Sequence, residues 1–347
     1  MASPTLTAPA AEPTQTAARV ALNPLLKAHL GVVADNTLLI GVGQQPGLRA
    51  LETQVRAHFP HLALETIVIN RRAPEDRHFR LVQEGVARIG QSGQPALVLL
   101  CDSNPADVLY LHKIAGPAKE AALAVVTCFA RPIFHGPLGN TGGLTYESMF
   151  YRAGMIARTQ RQAGDYLEFG VFDGRTSTLA WQAMKDMRAM RFFGFDTFSG
   201  IAGALAQEKA YPDGSYYSNL PTYWHNMRAA GADPSRMRPV QGNYLDTFQD
   251  PKALHASLGL ERCLIAHIDC DVYAAAKAAL SFLTDLLVQG SVILFDEFHA
   301  NNASNRLGER RALAEWLEEN PHLQVERWMD YAAVGRAFFV HRDHDRP

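Results

Sequence analysis

Several things are missing from this sequence. No apolar run approaches the ~18 residues of a membrane-spanning helix, so no membrane partner is expected. Residues 1–21 are rich in Ala, Pro and Thr and hold no apolar segment of the kind a secretory signal needs. Basic residues are nearly absent there, which speaks against a transit peptide, and the stretch reads as a disordered tail. The net charge is only -2 over 347 residues, so no basic surface is available to nucleic acid or an anionic membrane. Cysteine is scarce: the four are Cys101, Cys128, Cys263 and Cys270, none in a C-x-x-C pair and three in or beside apolar runs. That pattern predicts buried free thiols in a reducing, cytoplasmic compartment. The dinucleotide fingerprint G-x-G-x-x-G is also absent. The run Gly41-Val-Gly43-Gln-Gln-Pro46-Gly47 is interrupted by Pro46 and followed by no Gly-Lys-Ser/Thr, so it reads as a turn after a strand rather than a nucleotide loop.

What is present is ordinary globular material, 47% hydrophobic and 20% charged, in a length that suits about two domains. In the first half, short apolar runs at Thr37–Gly41, Leu64–Ile69, Ala96–Cys101 and Leu123–Cys128 alternate with helix-like stretches. Residues 22–130 therefore read as a small parallel α/β accessory unit. It carries no recognisable chemistry, and a role in oligomerisation or in shaping a substrate pocket is expected; a homo-oligomer is the expected assembly. Residues 131–144 hold Pro132, Pro137 and four glycines and read as a linker.

From residue 145 to 347 the alternation is clearer. Helices are predicted at Thr145–Gln162, Thr176–Met187, Tyr223–Ala230, Ala274–Val288 and Arg306–Glu319. Strands are predicted at Tyr166–Phe169, Phe192–Phe195, Arg238–Gln241, Leu264–Ile268 and Ser291–Phe295. Two more, at Gln324–Trp328 and Arg336–His341, form a terminal hairpin. Helices between strands demand a mainly parallel, doubly wound sheet, and the hairpin adds an antiparallel edge. Ser199–Thr222 is irregular.

Four strand ends carry the chemistry. Glu168-Phe-Gly170-Val-Phe-Asp-Gly174 lies where a strand becomes a helix. Its glycines permit a tight turn and close approach of a ligand, and Thr176 and Ser177 offer free N–H groups and hydroxyls at the helix start. The next strand ends in Asp196, 22 residues beyond Gly174, where an acid can take the two hydroxyls of a ribose; Thr197 and Ser199 stand close by. The spacing G-x-x-x-G leaves no pyrophosphate cradle, which favours S-adenosylmethionine (SAM) over NAD. Further along, Asp269-Cys270-Asp271 and Asp296-Glu297 end two consecutive predicted strands. Ligands of open α/β sheets bind outside the carboxyl ends of strands, and four carboxylates converging there call for protons or a cation. All-oxygen ligands suit Mg²⁺, with Mn²⁺ as substitute. On an extended chain Asp269 and Asp271 point the same way, so one can bind metal while the other takes a proton. His299 is a second candidate base, and His225 a candidate for the acceptor pocket or for helix core.

In these motifs the chain resembles the macrocin-type O-methyltransferases, which methylate sugar hydroxyls of antibiotics and related products. The resemblance runs from about Thr145 to Arg342. It rests on Glu168–Gly174, Gly194-Phe-Asp-Thr-Phe-Ser-Gly200, Gln241-Gly-Asn-Tyr-Leu-Asp-Thr247, His267-Ile-Asp-Cys-Asp-Val-Tyr273 and Gly290-Ser-Val-Ile-Leu-Phe-Asp-Glu-Phe298. It implies a class I SAM-methyltransferase, Rossmann-like fold of seven strands. It implies SAM contacts at Glu168, Gly170 and Asp196, with Gln241 and Gly242 near the adenine, Mg²⁺ on Asp269, Asp296 and Glu297, and Asp271 as proton acceptor. The family commonly has Asp-Asp where this chain has Asp296-Glu297. The expected activity is metal-dependent methyl transfer from SAM to a hydroxyl, such as a sugar or vicinal diol, of a small molecule. The competing readings are a non-catalytic SAM-binding or regulatory protein and an NAD-dependent oxidoreductase.

Overall fold

A computed structural model describes residues 20–70, 72–102, 105–129, 144–159, 163–209 and 211–342. The expected tail and linker fall almost wholly outside the described residues. The first sheet comprises β1 (Leu38–Gly43), β2 (Ala63–Val68), β3 (Ala96–Cys101) and β4 (Ala124–Thr127), with helices α1 (Pro24–Leu30), α2 (Gln45–His58), α3 (Glu75–Ser92), α4 (Pro105–Ile114) and α5 (Gly116–Glu120) around it. Its strands are parallel in the order β2-β1-β3-β4. Gly43 ends β1, and Pro46 sits in the first turn of α2, where its missing N–H is no loss. The Gln44 amide donates to Asp102 and Asp107 at 3.0 and 3.2 Å, so this turn is filled by the chain's own side chains.

The second unit begins with α6 (Tyr146–Thr159), β5 (Asp165–Phe169), α7 (Arg175–Met184), β6 (Phe192–Asp196), α8 (Leu220–Ala229) and β7 (Met237–Gln241). It continues with α9 (Tyr244–Thr247), α10 (Pro251–Leu258), β8 (Cys263–Ile268), α11 (Tyr273–Leu283) and β9 (Leu287–Phe295), and ends with α12 (Ala300–Ala303), α13 (Gly308–Glu319), β10 (Leu323–Tyr331) and β11 (Gly335–Arg342). The sheet order is β10-β11-β9-β8-β5-β6-β7. β11 runs antiparallel to both β9 and β10, and the other pairings are parallel. Reversal of direction on either side of β5 places the crevice for a ligand at the carboxyl ends of β5 and β8.

Strand residues alternate between two cores, as a period of two requires. Leu167, Phe169, Phe193, Phe195, Ala266 and Ile268 pack on one face with α11 and α13. Tyr166, Phe192, Ile265, Val292 and Leu294 pack on the other with α6, α7 and α8. The predicted helix Ala274–Val288 overran: α11 stops at Leu283, and Leu287 already pairs with Cys263. Pairing with β8 captured backbone that the apolar pattern alone could have extended as helix. All four cysteines are buried and free.

The two units meet where α8 packs on β4, an edge strand. The Val125 N–H donates to Thr222 Oγ1 at 3.0 Å, and Asn219 donates to the Lys119 and Leu123 carbonyls, each at 2.9 Å. The His29 and His225 rings face each other at 5.3 Å across the same seam.

Phe282 is fully buried, with the Phe248 and His255 rings each 4.4 Å away. Phe282→Ala is expected to lower stability by about 3–5 kcal/mol, read from denaturant unfolding of the full chain. A loss below about 1 kcal/mol would show that this aromatic cluster does not anchor the second core.

Candidate active site

The turn after β5 owes its shape to Gly170. Its φ is +91°, and a Cβ there would lie 1.7 Å from the Asp269 carbonyl oxygen. Only glycine lets the turn approach the end of β8 so closely. The Asp196 carboxylate then pins the turn: Val171 and Phe172 donate backbone N–H to Oδ2 at 2.6 and 2.8 Å, and Phe198 donates to Oδ1 at 2.6 Å. Phe172 and Phe198 take φ of +50° and +52°, a region non-glycine residues rarely adopt, and hydrogen bonds to one carboxylate hold both. Burial raises the Asp196 pKa, and the bonds from Phe172, Phe198 and Val171 oppose that rise.

Of the expected cofactor contacts, Gly170, Asp196, Thr197 and Asp269 line one cavity of about 430 Å³. Glu168 does not line it. It is fully buried, accepts hydroxyl hydrogen bonds from Thr176 and Ser177, and lies 3.6 Å from His267 Nδ1. These three side chains form a closed network beneath the turn, because the hydroxyls at the start of α7 turn inward to the carboxylate. Gly174 (φ +83°) packs on Tyr223. Gly242 N–H donates to the Asp196 carbonyl at 2.9 Å, Gln241 Nε2 donates to the Thr197 carbonyl at 3.3 Å, and Ser199 is exposed. These residues shape the rim of β6 and β7 without lining the cavity.

The chain at Asp271 is not extended. Its φ is +62°, and Val272 N–H returns to the Cys270 carbonyl at 2.6 Å. The tight turn still brings Asp271 to Asp269, and carboxylate oxygens of Asp269, Asp271 and Glu297 lie within 4.8 Å of one another. Asp296 stands outside that triad. It is buried and hydrogen-bonded to Tyr146.

Sequence reasoning missed Glu309, in the first turn of α13. It is 1% exposed, and its carboxylate accepts the N–H of Glu297 at 3.1 Å and that of Cys270. Its place in a charge-rich helix gave no sign of burial.

Oxygens of Asp296, Glu297 and Glu309 are buried without a hydrogen-bond partner. Burial first, then mutual repulsion, raises the pKa of Asp269, Asp271, Glu297 and Glu309 above the ordinary carboxylate range. Burial also raises Asp296, offset by His267 and Tyr146. Crowded acidic oxygens without donors fit a hard divalent cation.

Tyr211 and Tyr216 of the irregular stretch, with Tyr146, complete the lining. Burial raises both Tyr211 and Tyr216; Glu297 then Asp271 add to the first, and Asp271 to the second. Both tyrosines share the cavity wall with the carboxylates. His299 corrects an expectation. Its Nε2 lies 3.5 Å from Asp330, and it is absent from the cavity wall because its backbone N–H is tied to the Val334 carbonyl at 2.9 Å. His225 is core at the seam, where burial pulls its pKa down to about 4.

Residues 167–298, well under half the chain, match the sequence model of a family described as "Methyltransferase domain". No curated protein matches the chain significantly. Among solved structures, the O-methyltransferase NovP is similar at 16% identity over 56% of this chain and 78% of its own, with a TM-score of 0.46. The calicheamicin methyltransferase CalS11 is similar at 15% identity over 79% and 94%, with a TM-score of 0.44. The O-methyltransferase TomG from Streptomyces achromogenes, solved with SAM, gives 14% over 55% and 78%, with a TM-score of 0.39. Values this low leave the fold to rest on the strand order itself, which is that of class I SAM methyltransferases, with the antiparallel strand inserted next to the last parallel one. Strand order gives the class I fold, and within it residues 167–298 are similar to the methyltransferase-domain family.

An Asn at position 196 would present an NH₂ group to backbone donors that now meet an anion. Asp196→Asn is expected to weaken SAM binding by more than roughly tenfold in calorimetry, with the protein still folded by circular dichroism. Unchanged affinity would remove Asp196 from the cofactor's support.

Proposed function

We propose that this protein is a SAM-dependent, divalent-metal-dependent O-methyltransferase acting on a hydroxyl, of a sugar or vicinal diol, in a small molecule. The observation that carries the reading is the co-location, in one cavity at the strand ends, of the Gly170 turn and a crowd of carboxylates, with buried oxygens of Asp296 and Glu297 left without a hydrogen-bond donor. A binding protein has no need of such costly burial of like charge, whereas an enzyme that must deprotonate a hydroxyl uses a cation-ready acidic site.

In this reading SAM lies against Gly170, Asp196 and Thr197. Asp269 and Glu297 would hold the cation, with Mg²⁺ or Mn²⁺ suited to oxygen ligands. When bound, such a cation lowers the pKa of a hydroxyl beside it. Asp271 would take the acceptor's proton; bound SAM would supply the methyl group, its S–CH₃ bond breaking as the O–CH₃ bond forms and the neutral thioether S-adenosylhomocysteine leaving. Glu309 stands behind the site and holds the Glu297 backbone, while Asp296, on the cavity wall, receives the Tyr146 hydrogen bond. Tyr211 and Tyr216 bound the acceptor side and help to exclude water. Positioning supplies much of the rate.

Raised carboxyl pKa values mean that the metal-free fold gains from protonation: that contribution is fully present below the unfolded pKa and is lost as pH rises through the folded values. A cation should replace it. Mg²⁺ is therefore expected to raise the melting temperature more at about pH 8 than at about pH 5, because protons compete with it. An equal shift at both, or none, removes the cation from this cluster.

Asp269→Asn and Glu297→Gln should lower Mg²⁺ affinity, with part of the lost activity returning at high Mg²⁺. Asp271→Asn should keep SAM binding while turnover falls by roughly 10²-fold or more, unrestored by extra metal. Rescue of Asp271→Asn by metal would instead make Asp271 the third ligand of the triad.

A further inference from the structure

The irregular stretch before α8 is tied down at both ends by buried charged groups. On the catalytic side Glu208 is 1% exposed. Its Oε1 accepts the N–H of Tyr273 at 2.8 Å and of Gly308 at 3.0 Å, capping the first residues of α11 and α13, while Oε2 accepts Leu205 N–H at 2.8 Å. On the other side the tether crosses between units. Lys119 of α5 is 4% exposed and donates from Nζ to the His112 carbonyl at 3.1 Å and to the Tyr217 carbonyl. Its ammonium lies 5.8 Å from the Phe172 ring centre and 5.4 Å from that of Tyr217. Between the tethers stand Tyr211 and Tyr216. Tyr216 is held at φ +55°, and its ring meets Phe172 at 5.8 Å, while Phe172 meets His112 at 5.4 Å.

A buried amine needs a reason, since burial without full pairing is costly; here burial brings the pKa of Lys119 down to about 8. A methionine would fill the same space at the seam without that penalty. What the amine adds is a bridge from the His112 carbonyl of its own unit to the Tyr217 carbonyl, one residue from a tyrosine that lines the cavity with the carboxylates.

We propose that the N-terminal unit sets the acceptor-facing wall of the cavity, with Lys119 as a positioning residue that fixes Tyr216 through the Tyr217 carbonyl. This rests on the cavity being the methyl-transfer site. The wall is then preformed before substrate arrives, and its shape depends on a unit that supplies no cofactor contact.

The test uses the full chain with Lys119→Met, and Lys119→Gln in case the first variant fails to fold. Three readouts are compared with the unaltered protein: amide hydrogen exchange in residues 211–219, SAM affinity by calorimetry, and the affinity of the chromogenic diol 4-nitrocatechol in the presence of Mg²⁺. Loss of the grip should speed exchange in the wall roughly tenfold and weaken the diol by roughly five- to tenfold, as for one charged hydrogen bond. SAM affinity should stay within about twofold, because Phe172, whose ring Lys119 approaches, is held on the cofactor side by its own backbone bond to Asp196. Unchanged exchange overturns the proposal, as does equal weakening of SAM and diol, which would mark a general loss of fold. A faster wall with undiminished diol affinity, or an unaltered protein that binds SAM and not the diol, overturns the wall's role in acceptor binding alone. Failure of the unaltered protein to bind SAM sinks the methyltransferase reading beneath it.

Discussion

Five carboxyl groups crowd the carboxyl ends of β8 and β9, and the rest of the second unit is arranged around that crowding. Asp269, Asp271, Asp296, Glu297 and Glu309 are each raised in pKa by burial before any charge effect is added. Such a group survives in a fold only when its neighbours offer compensation. Here the compensation is partial: backbone N–H groups reach Glu309, and Tyr146 reaches Asp296. Oxygens on three of the five remain without partners. The site is thus built short of positive charge, and that deficit is the physical basis for the proposal that it takes a cation.

The cofactor side is made differently. There the chain spends its own backbone donors on Asp196, and the turn Gly170–Gly174 is held against β6 by hydrogen bonds rather than by packing alone. Strained residues gather round the same cavity: Phe172, Phe198, Tyr216 and Asp271 all have positive φ. Positions of this kind persist where surrounding contacts over-determine them, and they cluster at functional sites. The network of Glu168, Thr176 and Ser177 beneath the turn supports it from below, so a residue set that reads as ligand contact serves as foundation.

The N-terminal sheet fits the same economy of purpose. Its turn after β1 is occupied by Gln44, Asp102 and Asp107, and its free edge at β4 is capped by Thr222 of the other unit. Its contribution lies at the seam, where α5 and β4 meet the stretch that carries Tyr211 and Tyr216.

How much of this was legible in the sequence follows from range. Local patterns sufficed for the alternating α/β order, the closing hairpin, the Gly-rich turn and the two acidic strand ends, because strand period, glycine and turn residues act over a few neighbours. The end of α11 did not follow from pattern, since pairing of Leu287 with Cys263 took residues that propensity left open. Nor did the partners of Glu168 and His299, or the burial of Glu309, since each depends on a group many residues away. Asp271 joins Asp269 and Glu297 through a left-handed turn that an extended chain would not contain. The sequence by itself determined which chemical groups are available and that they sit at strand ends. Only the tertiary structure decided which of them face the cavity, because facing is settled by long-range hydrogen bonds and by the desolvation that packing imposes.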